Sequence, residues 1–210
     1  MFEKRKGAVQ IILDFVEGRM PIDEFQTAFT TNDLLRRLLG CQIPIEFYKR
    51  YYKGNVAYYL DYELKQSKGK WGSVWSKNAV QHALCNWLDF KGIKYVKYPK
   101  YRDDYLIILD IQPSWIETVD DQGIFDKVLA EIPKDLSKTK QIAWGKARLK
   151  ELFRYDKTYP HWVQGGEWPI VNGKPLVFSH QKKAGKDDVR TYYYFYDPDT
   201  KEETVITQMD

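Results

Sequence analysis

Apolar residues recur at helical spacing through the first 92 residues. An i, i+3, i+4, i+7 pattern predicts an amphipathic helix whose apolar positions are Val9, Ile12, Leu13 and Val16. Asn32 is a predicted N-cap for a helix over residues 33–39, since its side chain can accept hydrogen bonds from free amides. Further helices are predicted over residues 22–29, over residues 44–52 and, with Ser76 as the cap, up to Gly92.

The hydrophobic period then changes. Residues 93–98 and 105–111 are short runs rich in β-branched and aromatic side chains, which predicts two neighbouring strands. Helical spacing returns within residues 124–129 and 142–153. We therefore expect a mixed and β-rich region from residue 93 onward.

Two hairpins are predicted in the last fifty residues. Asn172-Gly173 follows the apolar pair 170–171 and precedes residues 176–178, which is typical of a type I′ turn because both central residues tolerate positive φ. A second turn over residues 197–200 separates residues 191–196 from 203–207. The prediction is an α+β fold in one domain over residues 1–210. A helical part, about 1–92, packs with a mainly antiparallel sheet in the part from 93 to 210 that the C-terminal hairpins complete.

Composition adds one unusual feature. The chain has 210 residues, and 16% of them are aromatic. Tyr and Trp combine a large apolar area with a polar tip, so this enrichment fits either a binding surface or an aromatic core. The net charge of +4 weakly favours near-neutral or acidic partners and lacks the concentrated basic character of a dedicated nucleic-acid binder.

Cys41 and Cys85 lie 44 positions apart in apolar segments, which favours buried free thiols in a reducing compartment. The N-terminal apolar run is too polar for a signal peptide, and no apolar stretch approaches the roughly 20 residues that span a bilayer. The predicted location is the cytoplasm, without a membrane partner.

No catalytic, metal-binding or cofactor-binding constellation is recognisable, so we predict no catalytic residue, no metal and no cofactor. The three histidines lack a second ligand at helical spacing: His82, His161 and His180. Three carboxylate pairs lie in predicted turns, where Asp is favoured locally: Asp103-Asp104, Asp120-Asp121 and Asp187-Asp188. An enzyme that uses Glu167 or Asp110 as an acid or base stays open as a third alternative.

The segment from Pro160 to Gln181 is the most distinctive. It holds two tryptophans six positions apart, and its prolines make it stiff, so Trp162, Glu167 and Trp168 are candidate contact residues. The alternative is that both tryptophans fill the core while Gln164 or Gln181 satisfies buried backbone groups. One face of the strand over 191–196 adds three further candidates: Tyr192, Tyr194 and Tyr196.

Basic and aromatic residues also alternate between positions 94 and 102, as in proteins that stack bases and hold phosphates. The candidate nucleic-acid contacts are Lys94, Tyr95, Lys97, Tyr98, Lys100, Tyr101 and Arg102, with Lys49-Arg50-Tyr51-Tyr52-Lys53 as a similar segment. The alternative is a half-exposed strand whose charges are diluted by Asp103 and Asp104.

The C-terminal motifs carry a resemblance to a known group. They are Trp162-Val163-Gln164, Glu167-Trp168-Pro169, and Gly173-Lys174-Pro175-Leu176-Val177-Phe178 with Gln181. The chain resembles a group of small uncharacterised bacterial proteins with this pattern, and these are similar to immunity or accessory proteins encoded beside polymorphic toxins. The resemblance implies a non-catalytic bacterial protein that binds a partner protein stoichiometrically, with a toxin domain as the candidate partner. For such a partner, the net charge of +4 favours a near-neutral or acidic protein. The nucleic-acid module is the alternative.

Overall fold

The computed structural model describes residues 2–116, 123–185 and 188–209, with side chains from Lys6 onward. The chain divides into two compact units, Met1–Tyr105 and Leu106–Asp210. Helices occupy the first unit and antiparallel strands lie at the C-terminus of the second, so the predicted α+β fold is confirmed.

The first unit is helical. Its helices are α1 (Phe2–Val16), α2 (Ile22–Thr31), α3 (Asp33–Leu39), α4 (Glu46–Tyr51), α5 (Val56–Gln66), α6 (Val74–Phe90) and the start of α7 (Lys100–Ile111). The predicted apolar stripe of α1 faces the core, where Ile12 and Val16 are fully buried. Phe15 stacks on Phe25, and Trp71 packs against Phe25 and Phe29. Aromatic packing therefore forms much of this core.

Two helix caps test the sequence predictions. The Asn32 side chain accepts from the amides of Leu34 and Leu35, which confirms the predicted N-cap of α3. The predicted Ser76 cap of α6 is wrong by three residues, because Ser73 is the N-cap and its side chain accepts from the Ser76 amide. Ser76 is instead buried in the first turn, where its hydroxyl donates to the Ser73 carbonyl.

The two strands predicted at 93–98 and 105–111 are also wrong. Residues 93–98 form no strand, and Gln81 fixes this segment by donating its side-chain amide to the carbonyls of Val16 and Tyr98. Residues 100–111 form α7, in which Ile108 and Ile111 are buried at i, i+3 spacing. Asp103 in the first turn favours a helix N-terminus, and a short apolar run does not by itself distinguish a buried strand from a helix.

The second unit combines helices with two small sheets. Its elements are the end of α7, α8 (Ile124–Glu131), α9 (Lys138–Leu152), β1 (Ile170–Val171), β2 (Lys174–Pro175), β3 (Val177–Lys183), β4 (Arg190–Tyr196) and β5 (Glu203–Met209). Strands β1 and β2 form a hairpin, and the order β3-β4-β5 forms an antiparallel sheet.

Both predicted hairpins are present. Asn172 and Gly173 have φ of 50° and 74°, as a type I′ turn requires, and Ile170 pairs with Pro175. The hairpin partner is β2, whereas residues from 177 onward form β3 and pair with β4. The turn over 197–200 joins β4 to β5, as predicted.

Candidate functional site

The sheet β3-β4-β5 has one face in the core and one face outside. Alternation along β4 buries Thr191, Tyr193 and Phe195 and leaves Tyr192, Tyr194 and Tyr196 partly exposed. The predicted alternating tyrosine face therefore exists, and the central strand of a three-stranded sheet carries it.

Cross-strand register assembles two rows on the outside. Directly paired residues of antiparallel strands point to the same face. One row is His180, Tyr194 and Val205, and the other is Lys182, Tyr192 and Thr207. We call these six residues the outer sheet face. Tyr194 lies between His180 on β3 and Val205 on β5. Tyr192 lies between Lys182 on β3 and Thr207 on β5.

Ring stacking holds the first row. The His180 and Tyr194 rings stack at 4.4 Å with an interplanar angle of 3°. The Ser179 hydroxyl lies 3.1 Å from Nδ1 of His180, next to a β-bulge between Phe178 and His180. The imidazole is thus held from two sides, which pre-orders the centre of the outer sheet face.

Side chains at both ends of β4 are engaged by neighbouring carboxylates. Arg190 Nε donates to Asp188 Oδ1 at 2.8 Å, and these bonds lower the pKa of the Asp188 carboxyl. At the other end the Tyr196 hydroxyl donates to Asp156, which raises the pKa of that phenol. Tyr196 is thereby tied to the segment that precedes the sheet and is less free to contact a partner than Tyr192 or Tyr194.

Trp162, Glu167 and Trp168 do not form a shared surface. Trp168 is only 3% exposed and donates its indole N–H to the Leu176 carbonyl, so its proposed role as a contact residue is corrected to a core role. Trp162 is partly buried, lies against Tyr193 at 4.5 Å and donates to the Trp115 carbonyl. Glu167 is exposed. Both tryptophans thus pack on the inner face of the sheet.

Glutamines fix the strand-free segment around these tryptophans. The Gln181 side chain accepts from the His161 amide, and Gln208 accepts from the Gln164 amide. The Gln164 side chain donates to the Met209 carbonyl. Side-chain amides thus satisfy backbone groups here, as the core alternative for this motif expects.

The rings of the basic aromatic segment 94–102 are partly buried and take part in packing. Tyr101 stacks on Phe15 at 5.5 Å and meets Tyr98 edge-on at 5.3 Å, while Lys100 pairs with Asp104 in the first turn of α7. Burial raises the pKa of the Tyr95 phenol, which is also hydrogen-bonded to the Cys85 side chain. Lys94 and Arg102 are exposed, whereas Lys97 and the three tyrosines are partly buried, so this segment offers less ring surface than cationic surface.

The remaining polar candidates do not converge. Asp103 and Asp104 lie in α7 rather than in a turn, whereas Asp120, Asp121 and Asp187 lie outside the described residues. Within residues 2–116, 123–185 and 188–209, no group of three His, Cys, Asp or Glu side chains is placed to hold a metal ion. In the same ranges no helix is long and apolar enough to cross a membrane.

Sequence reasoning missed His180 and Val205 as neighbours of Tyr194. The turn over 197–200 sets the β4-β5 register, so Val205 is a residue that turn geometry alone could have identified. His180 follows a bulge that carries no sequence signal recognised above. Comparison with known protein families, curated proteins and solved structures gives no match for this chain.

Proposed function

We propose that this protein acts by binding another protein stoichiometrically through the outer sheet face. The observation that carries the proposal is the pair of in-register rows, which place the partly exposed Tyr192 and Tyr194 side by side on the outer face of a three-stranded sheet. Tyrosine is enriched in protein interfaces because it offers a large contact area with little rotational freedom to lose.

The chemistry of the rows favours a protein over a nucleic acid at this site. Val205 and Thr207 contribute apolar contact on β5, and Arg190, at the end of the central strand β4, is engaged by Asp188. Lys182 is the exposed cation among the six residues. A surface of two phenols, one imidazole, one cation and an apolar edge matches a mixed protein surface better than a row of phosphates.

The net charge of the chain restricts the class of partner protein. The chain carries a net charge of +4, and opposite or neutral potentials steer association better than like ones. The partner would be near-neutral or acidic. The resemblance to immunity-type proteins suggests a bacterial toxin domain of that charge, which this protein would bind and inhibit.

The reducing cytoplasm is the compartment that fits this role. Cys41 and Cys85 are both free, and burial raises the pKa of the Cys85 thiol, which keeps it in the less reactive protonated form. Of the two thiols predicted to be buried, Cys85 is buried and Cys41 is partly exposed. Free thiols are typical of proteins in reducing compartments.

Two exposed valines allow a matched test. Val205 lies in the outer sheet face and is 46% exposed, whereas Val171 lies in the β1-β2 hairpin and is 43% exposed. We expect the tagged wild-type protein and the Val171→Arg variant to capture one stoichiometric protein from the native cells with or without nuclease. Val205→Arg should weaken that complex about 30-fold or more, the scale of an interface hot spot.

Mass spectrometry identifies the captured protein, and titration calorimetry with it measures the affinity. Equal affinity of Val205→Arg and wild type would exclude the outer sheet face. Recovery that disappears with nuclease treatment would instead point to nucleic acid.

A further inference from the structure

A second aromatic surface lies in the first unit, on α4 and α5. Its large side chains are exposed to between 41% for Tyr58 and 59% for Tyr51, with Phe47 and Tyr62 in between. Seven aromatic side chains of this unit are buried in its core, whereas these four rings are exposed on two consecutive helices and form an aromatic surface patch.

Buried tyrosines hold these rings in place. Phe47 meets Tyr48 edge-on at 5.2 Å, and Tyr52 meets Tyr59 edge-on at 4.8 Å. Tyr48 and Tyr59 belong to the core of the unit. Tyr52 in turn contacts Tyr62 at 5.4 Å and Phe47 at 5.2 Å, so the outer rings pack on a layer of buried and partly buried rings.

Cations accompany the rings. The Arg50 guanidinium lies over the Tyr51 ring at 5.3 Å, and Lys53 Nζ lies over the Tyr58 ring at 4.6 Å. Lys49 is exposed on the same short helix. Among the described residues, none of these three cations has an ion-pair partner. We call the rings Phe47, Tyr51, Tyr52, Tyr58 and Tyr62 with Lys49, Arg50 and Lys53 the α4-α5 surface.

Neighbouring acids do little to neutralise this charge. Asp61 forms a bidentate pair with Arg36, at 2.8 and 3.1 Å. The Glu63 carboxyl is partly buried and is hydrogen-bonded to the Tyr59 side chain rather than to one of the three cations. Glu46, in the first turn of α4, is the remaining acid of this stretch. The α4-α5 surface therefore carries an excess of positive charge beside exposed ring faces.

We infer that the α4-α5 surface binds single-stranded nucleic acid. Exposed aromatic rings stack unpaired bases, and unpaired cations beside them contact the phosphates. Bases inside a duplex are already stacked on each other, so single strands are the matching form. Tyr51 and Phe47 would stack bases, and Lys49, Arg50 and Lys53 would contact the backbone.

The α4-α5 surface offers more exposed rings than the segment 94–102. There Tyr98 and Tyr101 use their rings in packing, and Lys100 pairs with Asp104. On α4 and α5 the rings are exposed and the cations are available.

The probe is a fluorescein-labelled oligothymidylate of about 12 nucleotides, within the usual span of such sites. Fluorescence anisotropy measures its affinity for the full chain at several KCl concentrations. Three phosphate contacts predict a log–log slope of about −2 for a single strand. We expect Tyr51→Ala to weaken binding about fivefold or more, the loss that follows from one stacked base.

Phe90 provides a matched control. It is an exposed ring of the same unit with Lys91 Nζ over it at 4.6 Å, but it lies outside the surface, so Phe90→Ala should bind like wild type. Replacing Lys49, Arg50 and Lys53 together by Gln should flatten the salt dependence. The same change at Lys138, Lys140 and Lys146, all exposed on α9, should leave it unchanged.

Absence of oligonucleotide binding by wild type, or unchanged binding by Tyr51→Ala, would overturn the inference. Equal affinity for a duplex of the same length, or binding to anionic lipid vesicles in place of the oligonucleotide, would overturn it as well. Circular dichroism checks that each variant is folded. Val205→Arg should keep oligonucleotide binding, so failure here is distinguishable from failure of the protein-binding proposal.

Discussion

Trp168 is the residue at which burial decides the role. Its indole contacts Trp115, Phe153 and Phe195 at ring distances of 5.4 to 5.5 Å and donates to the Leu176 carbonyl. A side chain in this position stabilises the second unit and leaves no ring face for a partner.

We predict that Trp168→Ala lowers the free energy of unfolding by about 3–5 kcal/mol, because it removes a large buried ring and leaves a cavity. Urea unfolding followed by near-ultraviolet circular dichroism measures this change. Trp168→Phe keeps a ring but loses the indole N–H, so its loss should be smaller. An unchanged midpoint in Trp168→Ala would return this residue to the list of surface candidates.

Glu63 is the residue with a clear pH signature. Burial raises the pKa of its carboxyl, and the hydrogen bond from the Tyr59 hydroxyl opposes that shift only in part. The folded-state pKa then lies above the unfolded value of about 4.3. Below the unfolded pKa, Glu63 is protonated in the folded and the unfolded state, so it does not change the free energy of unfolding. As the pH rises through the window between the two values, ionisation destabilises the fold.

Glu63→Gln should therefore raise the free energy of unfolding at pH 7 and have little effect near pH 4. Urea midpoints at the two pH values test this, with Glu24→Gln, an exposed carboxylate of α2, as the control. If Glu63→Gln lowered the free energy of unfolding at pH 7 more than at pH 4, the folded state would favour the charged form of Glu63, against this prediction.

Two helical glycines show how packing between elements changes the effect of the same substitution. A Cβ at Gly145 in α9 would lie 2.8 Å from Cγ2 of Ile111, a fully buried residue of α7. Gly7 in α1 has no atom within 4 Å of the same position. Gly145 is therefore the place where α9 and α7 come close.

Alanine at Gly7 should stabilise the protein by about 0.5–1 kcal/mol through lower backbone freedom in the unfolded chain. At Gly145 the same gain is opposed by overpacking of about 1–3 kcal/mol, so we expect a net loss. Urea unfolding of the two single variants compares them directly. A similar gain at both sites would show that Ile111 moves aside freely.

The elements differ in how well the sequence predicts them. The Asn32 cap and the Asn172-Gly173 turn are specified by a few adjacent residues, and both are present. The run 105–111 has no such signal, because its apolar residues suit either a strand or a buried helix. The position of Asp103 at a helix start and the burial of Ile108 and Ile111 decided for α7.

For the whole molecule, each compact unit has its own core and its own exposed aromatic surface. The outer sheet face belongs to the second unit and the α4-α5 surface to the first. The rings that the sequence marks most strongly, Trp162 and Trp168, lie in or beside a core. The rings available for contact come from β4 and α4, which the sequence marks less strongly.

The sequence by itself determined the order of helices before hairpins, the turn at Asn172-Gly173 and the alternation of Tyr192, Tyr194 and Tyr196. These features depend on periodicity and hydrogen bonds within a few residues. Only the tertiary structure decided that Trp168 and Tyr101 are packed while Tyr51 is exposed, and that His180 lies beside Tyr194. Burial and the register of β3 with β4 depend on contacts between residues distant in the chain, which local pattern does not encode.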